Sequence, residues 1–391
     1  MKVTDLHTLI NAVTQEVLGE KAVVENDLSN VVDIGKQIVD SDNVDNYVKN
    51  LVNHIGRVVF QNRLYAGGVP SVLMDSWEFG SIMEKVSADL PQATENSSWA
   101  LQDGEDYSPD IFYQPSVSAK FFNSKVTFEI PLSFTDRQVK ESFSSAAQLN
   151  GFVSMLTTSV ENSMTVKLDS LIMRTIGNMI AETVYSDLDD AGTIEMGATS
   201  VKAVNLLALY NATAKTYISA GEALTTADFI RFATYTIGLY KTRMGRISTL
   251  FNVEGKERFT PSDSLITVLL ADFSKASETF LASNTFNDEK VTLPSHDAVP
   301  YWQGSGEDYS FDSVSAINVK TSSGNVVNMT GIIGAMFDRQ ALGVSNMSRR
   351  VTTNYNPKAE FYTNFYKFDA GYFNDMSENF VVFFIGESSD A

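Results

Sequence analysis

Residues 331–385 read GIIGAMFDRQALGVSNMSRRVTTNYNPKAEFYTNFYKFDAGYFNDMSENFVVFFI, and this stretch decides the fold. It begins and ends with short apolar runs, at 331–337 and 380–385, and a segment rich in turn-forming and aromatic residues separates them. Apolar runs of this length that are bounded by turn signals are typical of strands. We therefore predict that both runs are strands and that this C-terminal part of the chain is built into a central sheet.

The segment between the two runs carries a dense series of aromatic side chains: Phe361, Tyr362, Phe365, Tyr366, Phe368, Tyr372 and Phe373. Aromatic side chains at this density suit either a carbohydrate-binding surface or a packed core. Phenylalanine outnumbers tyrosine in the series and tryptophan is absent from it, which favours core packing. We predict that these residues belong to the hydrophobic core.

The order of short motifs in this stretch resembles the C-terminal part of the major capsid proteins of tailed bacteriophages. The motifs are DRQALG at 338–343, NYNPK at 354–358, EFYTNFY at 360–366 and AGYF at 370–373. The resemblance implies an α+β chain with the tailed-phage major-capsid fold, which encapsulins share. That fold has an N-terminal arm, an extended β loop and a long spine helix, together with peripheral and axial α+β domains.

The composition excludes several kinds of site and partner. The 391 residues include no cysteine, which excludes disulfides, thiolate catalysis and zinc–thiolate sites and suits synthesis in a reducing cytoplasm. The formal net charge of −19 disfavours tight binding of phosphate groups, although a container that must release DNA can have an acidic wall. No run of about 18 apolar residues is present, and the N-terminus lacks the features of a signal peptide. We therefore expect no membrane contact.

Residues 1–60 are predicted to form an N-terminal arm of amphipathic helices. Apolar residues recur at helical spacing within 6–17, 28–39 and 47–59. Short helices with a single apolar face need a surface to lie on. That surface is either the core of the same chain or, as the resemblance implies, a neighbouring subunit. A connector at 61–77 follows the arm.

Residues 78–135 are predicted to form an extended β loop, which the resemblance implies reaches over an adjacent subunit. From Val126 to Phe134 the apolar residues occupy every even position, and this alternation is typical of a half-exposed strand. Pro131 confines the strand to the edge of a sheet or to a strand end, because proline cannot donate a backbone hydrogen bond.

Residues 136–185 are predicted to form the spine helix of the peripheral domain. They contain no proline, and their apolar residues recur mostly at three- and four-residue steps. Some 40 helical residues would span roughly 60 Å. Gly151 and Gly177 weaken the helix slightly and are candidate bends. The apolar stripe lacks clean heptads with charged flanks, so a coiled coil is disfavoured.

Residues 186–330 are predicted to form an axial α+β domain, and residues 331–391 supply the strands and loop that complete the shell domain. The predicted elements are a connector at 186–200, helices at 201–220, 226–244 and 262–280, a short strand at 248–252, a loop at 283–313 and strands at 314–319 and 326–329. Helices beside a few strands, in no strict βαβ order, indicate an α+β domain rather than a doubly wound sheet.

The sequence contains no motif of a known active site, so we predict no enzyme activity, no cofactor and no catalytic, cofactor-binding or metal-binding residues. There is no phosphate-binding Gly-rich loop, no nucleophile elbow and no zinc-binding His-Glu-x-x-His. The three histidines, His7, His54 and His296, lie far apart in sequence. His296 and Asp297 would suit a catalytic triad only with a serine nucleophile, whose signature is missing. A loop histidine is therefore the favoured interpretation of His296.

The pentapeptide Gly-Glu-Asp-Tyr-Ser occurs twice, at 104–108 and at 306–310. Clustered carboxylates beside a glycine suit a hard cation such as Ca²⁺. Neither copy has the alternating oxygen ligands of a dedicated cation loop. We therefore favour a solvated acidic turn at both places.

Four basic residues near the aromatic series, Arg349, Arg350, Lys358 and Lys367, are candidates for contact with DNA or with acidic neighbours. Because the chain as a whole is acidic, we favour ion pairs between subunits.

The order of these elements agrees with the resemblance and favours a major capsid protein. The resemblance implies that such a protein assembles as hexamers and pentamers into an icosahedral phage head around double-stranded DNA. The predicted partners are further copies of the chain, packaged DNA in weak non-specific contact, and portal, scaffold or decoration proteins. The protein would be made in the host cytoplasm and reside in the virion. One alternative is an encapsulin-type shell that holds protein cargo. A second alternative is an enzyme or a surface-binding protein, which would not form large particles.

Overall fold

The structure of the chain is a computed structural model, and it describes residues 11–15, 24–25, 30–40, 69–74, 83–88, 91, 95, 100, 102–105, 110, 112, 114, 116–135, 137–138, 146–190, 192–282, 293–302 and 311–387. Its helices are α1 (Val31–Asp40), α2 (Ala146–Leu188), α3 (Leu206–Ala214), α4 (Ala220–Ala223), α5 (Ala227–Met244), α6 (Ala271–Ala282) and α7 (Phe311–Val314).

Its strands are β1 (Leu73–Met74), β2 (Met83–Ala88), β3 (Val117–Phe122), β4 (Lys125–Thr135), β5 (Asp189–Asp190), β6 (Thr193–Ile194), β7 (Ala203–Asn205), β8 (Leu265–Leu270), β9 (Asp297–Val299), β10 (Ile317–Lys320), β11 (Val326–Met329), β12 (Ile332–Asp338), β13 (Leu342–Asn356), β14 (Phe361–Asn374) and β15 (Phe380–Phe384). A single 3-10 turn, Pro70–Val72, precedes β1.

The two apolar runs that delimit residues 331–385 are β12 and β15, which lie side by side inside a five-stranded sheet. The strand order of this sheet is β7-β15-β12-β8-β9. β12 runs antiparallel to both of its neighbours, whereas β7 and β9 at the edges each run parallel to the adjacent strand. The prediction that this part of the chain is built into a central sheet is confirmed.

The five-stranded sheet is covered on both faces, and this explains why its strands are apolar at successive positions. Phe337 and Val382 face the core that contains α2, whereas Met336 and Val381 face a second core formed with α3, α5 and α6. Successive residues of a strand point to opposite faces. A sheet that is covered on both sides therefore requires apolar residues throughout.

The segment between these two strands is a long β-hairpin. The prediction that this segment is rich in turns is therefore wrong except at residues 357–360. β13 and β14 pair antiparallel from Leu342 opposite Asn374 to Asn356 opposite Phe361. They belong to a four-stranded sheet with the order β1-β13-β14-β4. The turn is confined to residues 357–360, directly after Asn356. The segment 331–385 thus contributes two strands to each of the two main sheets.

The aromatic series lies on β14 and supplies the core side of the four-stranded sheet. Burial alternates along this strand, and Tyr362, Tyr366, Phe368 and Phe373 are buried. Phe134 of β4 stacks on Tyr362 at a centroid distance of 5.8 Å. The prediction of core packing is confirmed for these four residues, whereas Phe361 and Phe365 lie on the opposite face of β14 and are only half-buried.

β4 lies at the edge of the four-stranded sheet, as its proline predicted. Its even-numbered residues face inward and its odd-numbered residues are exposed. Pro131 pairs with Phe365 of β14, and no further strand of the described residues pairs with β4 on its other side. The last part of the predicted extended loop, residues 125–135, therefore belongs to a core sheet.

The predicted spine helix corresponds to α2, Ala146–Leu188. Residues 137–138 are also helical, and residues 136 and 139–145 lie outside the described residues. The 43 residues of α2 span about 65 Å. The helix contacts strands of both main sheets. Leu168 is fully buried within it, and the Thr175 hydroxyl donates to the Leu171 carbonyl at 2.7 Å. The prediction of a long helix is confirmed for residues 146–185, and we hereafter call α2 the spine helix.

Residues 262–280 contain a strand where the sequence predicted a single helix. β8 occupies Leu265–Leu270, and α6 begins only at Ala271. A short apolar run such as LITVLL satisfies both helical spacing and a buried strand. Pairing with β12 along five residues decides in favour of the strand.

The predicted helix at 201–220 is a strand followed by two short helices. β7 pairs with β15, and Asn205 then caps α3 by accepting hydrogen bonds from the N–H groups of Leu207 and Ala208, each at 3.1 Å. The predicted strand at 248–252 is reduced to one bridge between Ser248 and Arg258. The predicted loop at 283–313 contains β9 and part of α7 among its described residues.

Other predicted elements are confirmed. α5 begins after Thr226 and ends at Gly245. β10 and β11 form the expected hairpin, with Gly324 of its turn at a φ of 93°. α1 matches the second predicted N-terminal helix and residues 11–15 are helical, whereas the third, at 47–59, lies outside the described residues. Among the helices that the structure describes, none combines the length and apolarity that a membrane crossing requires.

Candidate functional site

The hairpin formed by β2 and β3 presents two chemically different faces. The strands pair antiparallel, with Lys85 opposite Lys120 and Glu84 opposite Phe121. Because alternate residues of a strand point to opposite sides, both lysines lie on one face of the hairpin. Residues 123–124 connect the hairpin directly to β4, so its position is tied to the four-stranded sheet.

The lysine-bearing face is held by a cluster of six charged groups. Lys85 Nζ donates to Asp375 Oδ2 and Glu378 Oε1, both at 2.7 Å. Lys120 Nζ donates to Glu254 Oε1 at 2.6 Å and to Asp375 Oδ1 at 2.9 Å. Arg258 Nε completes the cluster by donating to Glu378 Oε1 at 3.2 Å. Three cations thus face three carboxylates, and we call this group the ion cluster.

Asp375 is the centre of the ion cluster, and its side chain is fully buried. Burial alone would raise the pKa of this carboxyl, but hydrogen bonds from Lys85, Lys120 and Ser377 lower it to about 2. Burial alone would lower the pKa of Lys120, yet its bonds to Glu254 and Asp375 raise it. A buried ion pair is stable only when its partners satisfy one another in this way.

The acidic half of the ion cluster lies in the turn that joins the two main sheets. Residues 375–379 connect β14 to β15. Within this turn, Ser377 donates to Asp375 Oδ1 through its hydroxyl at 2.7 Å and through its N–H at 3.1 Å. The N–H groups of Val253 and Glu254 donate to the Met376 carbonyl at 3.1 and 3.2 Å. The hairpin is therefore anchored where the two sheets meet.

The opposite face of the hairpin is apolar and exposed. Val86 and Val117 are each 61% exposed, and Phe121 is 63% exposed. Glu84 and Ala119 lie on the same face and are also exposed. We call these five residues the outer face. Large apolar side chains grouped on one exposed surface mark a site of association.

The histidine considered for a catalytic triad occupies a structural position. His296 Nε2 is 2.9 Å from the Ser274 hydroxyl, and its Nδ1 is 2.9 Å from the Pro294 carbonyl. The neighbouring Asp297 accepts a hydrogen bond from Ser71 instead. The carboxylate therefore does not orient the imidazole as a triad requires. His7 and His54 lie outside the described residues.

The two acidic pentapeptides are only partly within the described residues. In the first copy, Glu105 N–H donates to the Gln102 carbonyl at 3.4 Å and Gly104 has a φ of 93°, as in a turn. Residues 106–108 and the whole second copy lie outside the described residues. In the described part of the chain, no three His, Asp or Glu side chains are grouped to hold a metal ion.

Two of the four candidate basic residues pair within their own subunit. Arg350 contacts Asp369 at 2.6 Å, and Lys367 contacts Glu129 at 2.9 Å across adjacent strands. The four-stranded sheet thus supplies a carboxylate to each of these two residues, and ion pairs between subunits stay a prediction. Burial lowers the pKa of Arg349.

The chain was compared with protein families and with solved structures. Residues 10–384 match the family model described as Phi29-like phage major capsid protein. No curated protein sequence matches the chain. A capsid structure of Staphylococcus phage Andhra is 10% identical, with a TM-score of 0.50 over 83% of this chain and 86% of that one. A chain in the structure of the head fiber and inner core protein gp22 of bacteriophage P68 is also 10% identical, with a TM-score of 0.48 over 83% and 86%.

A capsid structure of the cyanophage P-SCSP1u is 10% identical, with a TM-score of 0.43 over 84% of this chain and 92% of that one. At such low identity the Andhra structure shows a shared fold alone. The family match spans both main sheets, the spine helix and the ion cluster. The chain belongs to the Phi29-like phage major capsid protein family, and it is therefore a structural protein of the virion that assembles with copies of itself into the shell of a phage head.

Proposed function

We propose that the subunits of this shell form hexamers and pentamers that interlock through the outer face of the hairpin. The observation that carries the proposal is the contrast between the two faces. The ion cluster fixes one face to the subunit's own turn 375–379, whereas the other face leaves Val86, Val117 and Phe121 in water. A fixed hairpin loses little conformational freedom when it binds, and this favours association.

Each such contact contributes a modest free energy of association, and a shell contains many of these contacts. Full burial of a valine or phenylalanine side chain contributes about 1.5–3 kcal/mol. Three half-buried anchors per subunit would therefore stabilise each contact by several kcal/mol before the cost of association. In a closed shell every subunit makes several contacts at once, so weak individual interfaces sum to a stable particle.

We propose that double-stranded DNA fills the shell without tight binding. The net charge of −19 supports this, because an acidic chain releases few counterions from DNA. Portal, scaffold and decoration proteins are proposed as further partners, and the host cytoplasm as the place of synthesis. The absence of cysteine is compatible with that reducing compartment.

We also propose a division of the chain into functional parts. Residues 1–60 act as the arm, 61–77 as a connector and 78–135 as the extended loop, whose last strand, β4, returns to the four-stranded sheet. Residues 136–185 and the four-stranded sheet form the peripheral domain. Residues 186–330 form the axial domain, and residues 331–391 complete both. The strand order supports this division, since each main sheet takes two strands from the last part.

A charged substitution on the outer face tests the interlocking. Val86→Asp should prevent particle formation, because it places a carboxylate in the proposed contact. Val326→Asp is the matched control, since Val326 is 63% exposed on the separate β10–β11 hairpin. Light scattering and electron microscopy would report the particles, and thermal unfolding would confirm that both variants fold. Normal shells from Val86→Asp would refute the proposal.

The contents of purified particles distinguish a phage head from an encapsulin-type compartment. Particles purified from infected cells should contain nuclease-protected double-stranded DNA. Tail-less particles that hold only a cargo protein would contradict the proposal and favour the encapsulin alternative.

A further inference from the structure

The loop that follows α5, residues 245–261, presents large apolar side chains to solvent. Ile247, Leu250 and Phe259 are 58%, 56% and 52% exposed. The antiparallel bridge within the loop places Ile247 directly opposite Phe259, so these two side chains lie on the same face. Large apolar side chains that are grouped on an exposed surface mark a site of association.

Hydrogen bonds hold this loop in one conformation. The Asn252 side chain donates to the Lys256 carbonyl at 2.6 Å and accepts from the Lys256 N–H at 2.7 Å. The Phe380 N–H of β15 donates to the Phe251 carbonyl at 2.8 Å, which ties the loop to the five-stranded sheet. A surface that is already ordered loses little conformational freedom when it binds a partner.

The same surface is basic, although the chain as a whole is acidic. Residues 229–253 contain Arg231, Lys241, Arg243 and Arg246 but no aspartate or glutamate, whereas the net charge of the chain is −19. Arg243 and Arg246 are exposed, and no carboxylate of the described residues forms an ion pair with either one. A complementary partner therefore combines carboxylates with apolar or aromatic side chains. We call the following residues the loop patch: Arg243, Arg246, Ile247, Leu250 and Phe259.

Another part of the chain has the complementary composition. Residues 291–319 contain four carboxylates and no lysine or arginine. Three of these carboxylates lie within 303–312, together with a tyrosine and a phenylalanine, and we call these ten residues the acidic segment. The acidic segment includes the second copy of the repeated pentapeptide. The structure describes its last two residues, and the Asp312 side chain is exposed.

The acidic segment and the loop patch belong to opposite ends of the five-stranded sheet. Trp302, which directly precedes the acidic segment, donates from Nε1 to the carbonyl of Ile332, the first residue of β12, at 2.9 Å. The loop is bound instead to Phe380, which pairs with Phe337 near the other end of β12. The seven residues of β12 span about 20 Å. The two surfaces are therefore placed to meet between copies rather than within one.

We propose that the loop patch of one subunit binds the acidic segment of a second copy. The inference rests on the proposed assembly into hexamers and pentamers, and it adds a contact that is separate from the hairpin. The apolar side chains of the loop patch favour a protein segment over packaged DNA, because contacts to phosphate groups would leave these side chains uncovered. Aromatic residues and arginine are also enriched at the centres of protein interfaces.

The ends of the acidic segment are fixed, and this favours binding. The Trp302 N–H donates to the Val314 carbonyl at 3.0 Å, so the chain enters and leaves the segment at one place. A short loop with fixed ends loses less conformational entropy on binding than a free chain. Because the two surfaces differ, the contact is heterologous, and its repetition about a rotation axis closes a ring.

A photoreactive residue on the loop patch identifies what binds there. p-Benzoylphenylalanine replaces Phe259, and assembled particles are irradiated and digested with trypsin. We expect a crosslink to the peptide 291–320 of a second copy, because cleavage after Lys290 and Lys320 releases the acidic segment whole. Fragmentation in the mass spectrometer should place the crosslink within 303–312. The same label in the unassembled Val86→Asp subunit should not give this product.

Other products of the crosslinking would overturn the docking. A crosslink to DNA, to another virion protein or to a different peptide of the chain would identify a different occupant. The expected product in the unassembled Val86→Asp subunit would show a contact within one copy. Assembled particles that give no crosslink from position 259 would show that the loop patch stays uncovered.

Charge reversal provides a second, independent test. Arg243→Glu with Arg246→Glu reverses the loop patch, and Glu307→Lys with Asp308→Lys reverses the acidic segment. Each pair should reduce particle yield at low salt at least tenfold, because like charges would then meet. The combination of all four substitutions should recover most of the yield. Lys320→Glu is the matched control, since this exposed lysine lies outside both surfaces, and it should leave the yield unchanged.

The outcomes separate this docking from the proposed function. Thermal unfolding would first show that the reversed variants fold. Normal particle yield from both reversed pairs, or no recovery in the combination, would overturn the docking while the interlocking through the hairpin stands. Normal shells from Val86→Asp, together with loss of yield and its recovery in the charge-reversed variants, would refute the interlocking and support the docking.

Discussion

The two main sheets draw on the same segment, 331–385, but bury their residues in different ways. In the five-stranded sheet every residue of β12 and β15 is buried. In the four-stranded sheet burial alternates along β14, and β4 exposes every second residue. The first sheet is an internal layer between two cores, whereas the second covers a core with one side only. The five-stranded sheet therefore tolerates few substitutions, whereas the four-stranded sheet leaves one face accessible to solvent or to neighbouring subunits.

The largest effect is expected from breaking the element that both sheets share. Leu168→Pro removes a helix hydrogen bond, introduces a steric clash and deletes a buried side chain, which together should cost about 5 kcal/mol. Both sheets should lose their support, so that no folded subunit and no particles remain. Lys167→Ala, an exposed change on the same helix, should cost less than about 0.5 kcal/mol. Wild-type particle yield from Leu168→Pro would contradict the spine-helix assignment.

A phenylalanine-to-alanine substitution in each sheet compares the continuous burial of β12 with the alternating burial of β14. Phe337→Ala in β12 should cost about 3–5 kcal/mol, because Phe337 is fully buried and stacks on Phe380. Phe365→Ala on the outer side of β14 should cost about 1 kcal/mol, because this residue is only half-buried. Denaturant unfolding would be measured on the unassembled Val86→Asp subunit. Equal losses in the free energy of unfolding would show that the outer side of the four-stranded sheet is buried as well.

The ion cluster at the junction of the sheets predicts a dependence on pH. The folded-state pKa of Asp375 is about 2, below the ordinary value of about 3.9, so the folded state favours the charged carboxylate. Its contribution is complete above the ordinary value and is lost as the pH falls from about 4 towards 2. Asp375→Asn should therefore lower the free energy of unfolding at neutral pH by about 2 kcal/mol and flatten its decline in that range.

Equilibrium unfolding between pH 2 and pH 6 measures this effect. Glu84→Gln is the control, since Glu84 is exposed and lies outside the ion cluster. A profile for Asp375→Asn that parallels the natural one would show that Asp375 does not hold the hairpin.

The smallest effect concerns a buried hydroxyl of the four-stranded sheet. Tyr366 is fully buried, its hydroxyl has no hydrogen-bond partner among the described residues, and burial raises its pKa to about 12. Tyr366→Phe should leave stability unchanged or increase it by up to about 1 kcal/mol, because no hydrogen bond is lost. Tyr185→Phe should instead cost about 1 kcal/mol, since its hydroxyl accepts from Asn325 Nδ2 at 2.6 Å. In thermal unfolding, the melting temperature should be unchanged or higher for Tyr366→Phe and lower for Tyr185→Phe.

The sequence predicted β4, β12 and β15 but missed β8 and the β13–β14 hairpin, and β4 and β8 show the physical reason. Alternation along 126–134 identifies a strand and its buried side, and Pro131 places that strand at an edge. The run at 265–270 is apolar throughout, so period two and period 3.6 both fit it, and only its pairing with β12 decides. Continuous burial removes the polar positions that would reveal the period.

Neither the ion cluster nor the groove that runs along the spine helix was predictable from sequence patterns. Lys85 and Lys120 become neighbours only through the register of the hairpin. Asp375 and Glu378 look like an ordinary solvated acidic turn until the lysines are placed beside them. The groove along the spine helix is lined by four separate segments of the chain, namely Val69, the spine helix, 299–302 and β10. Sites of this kind depend on tertiary contacts that leave no local signal.

The position of β15 also sets the order of events during synthesis. Val204 of β7 pairs with Phe383, which the ribosome adds 179 residues later. At about 5–20 residues per second this partner is supplied on the order of ten seconds or more after β7. Asp375 and Glu378 are made almost as late, about 290 residues after Lys85, with which both form ion pairs. During translation the hairpin therefore lacks its anchor until the turn at 375–379 has been made.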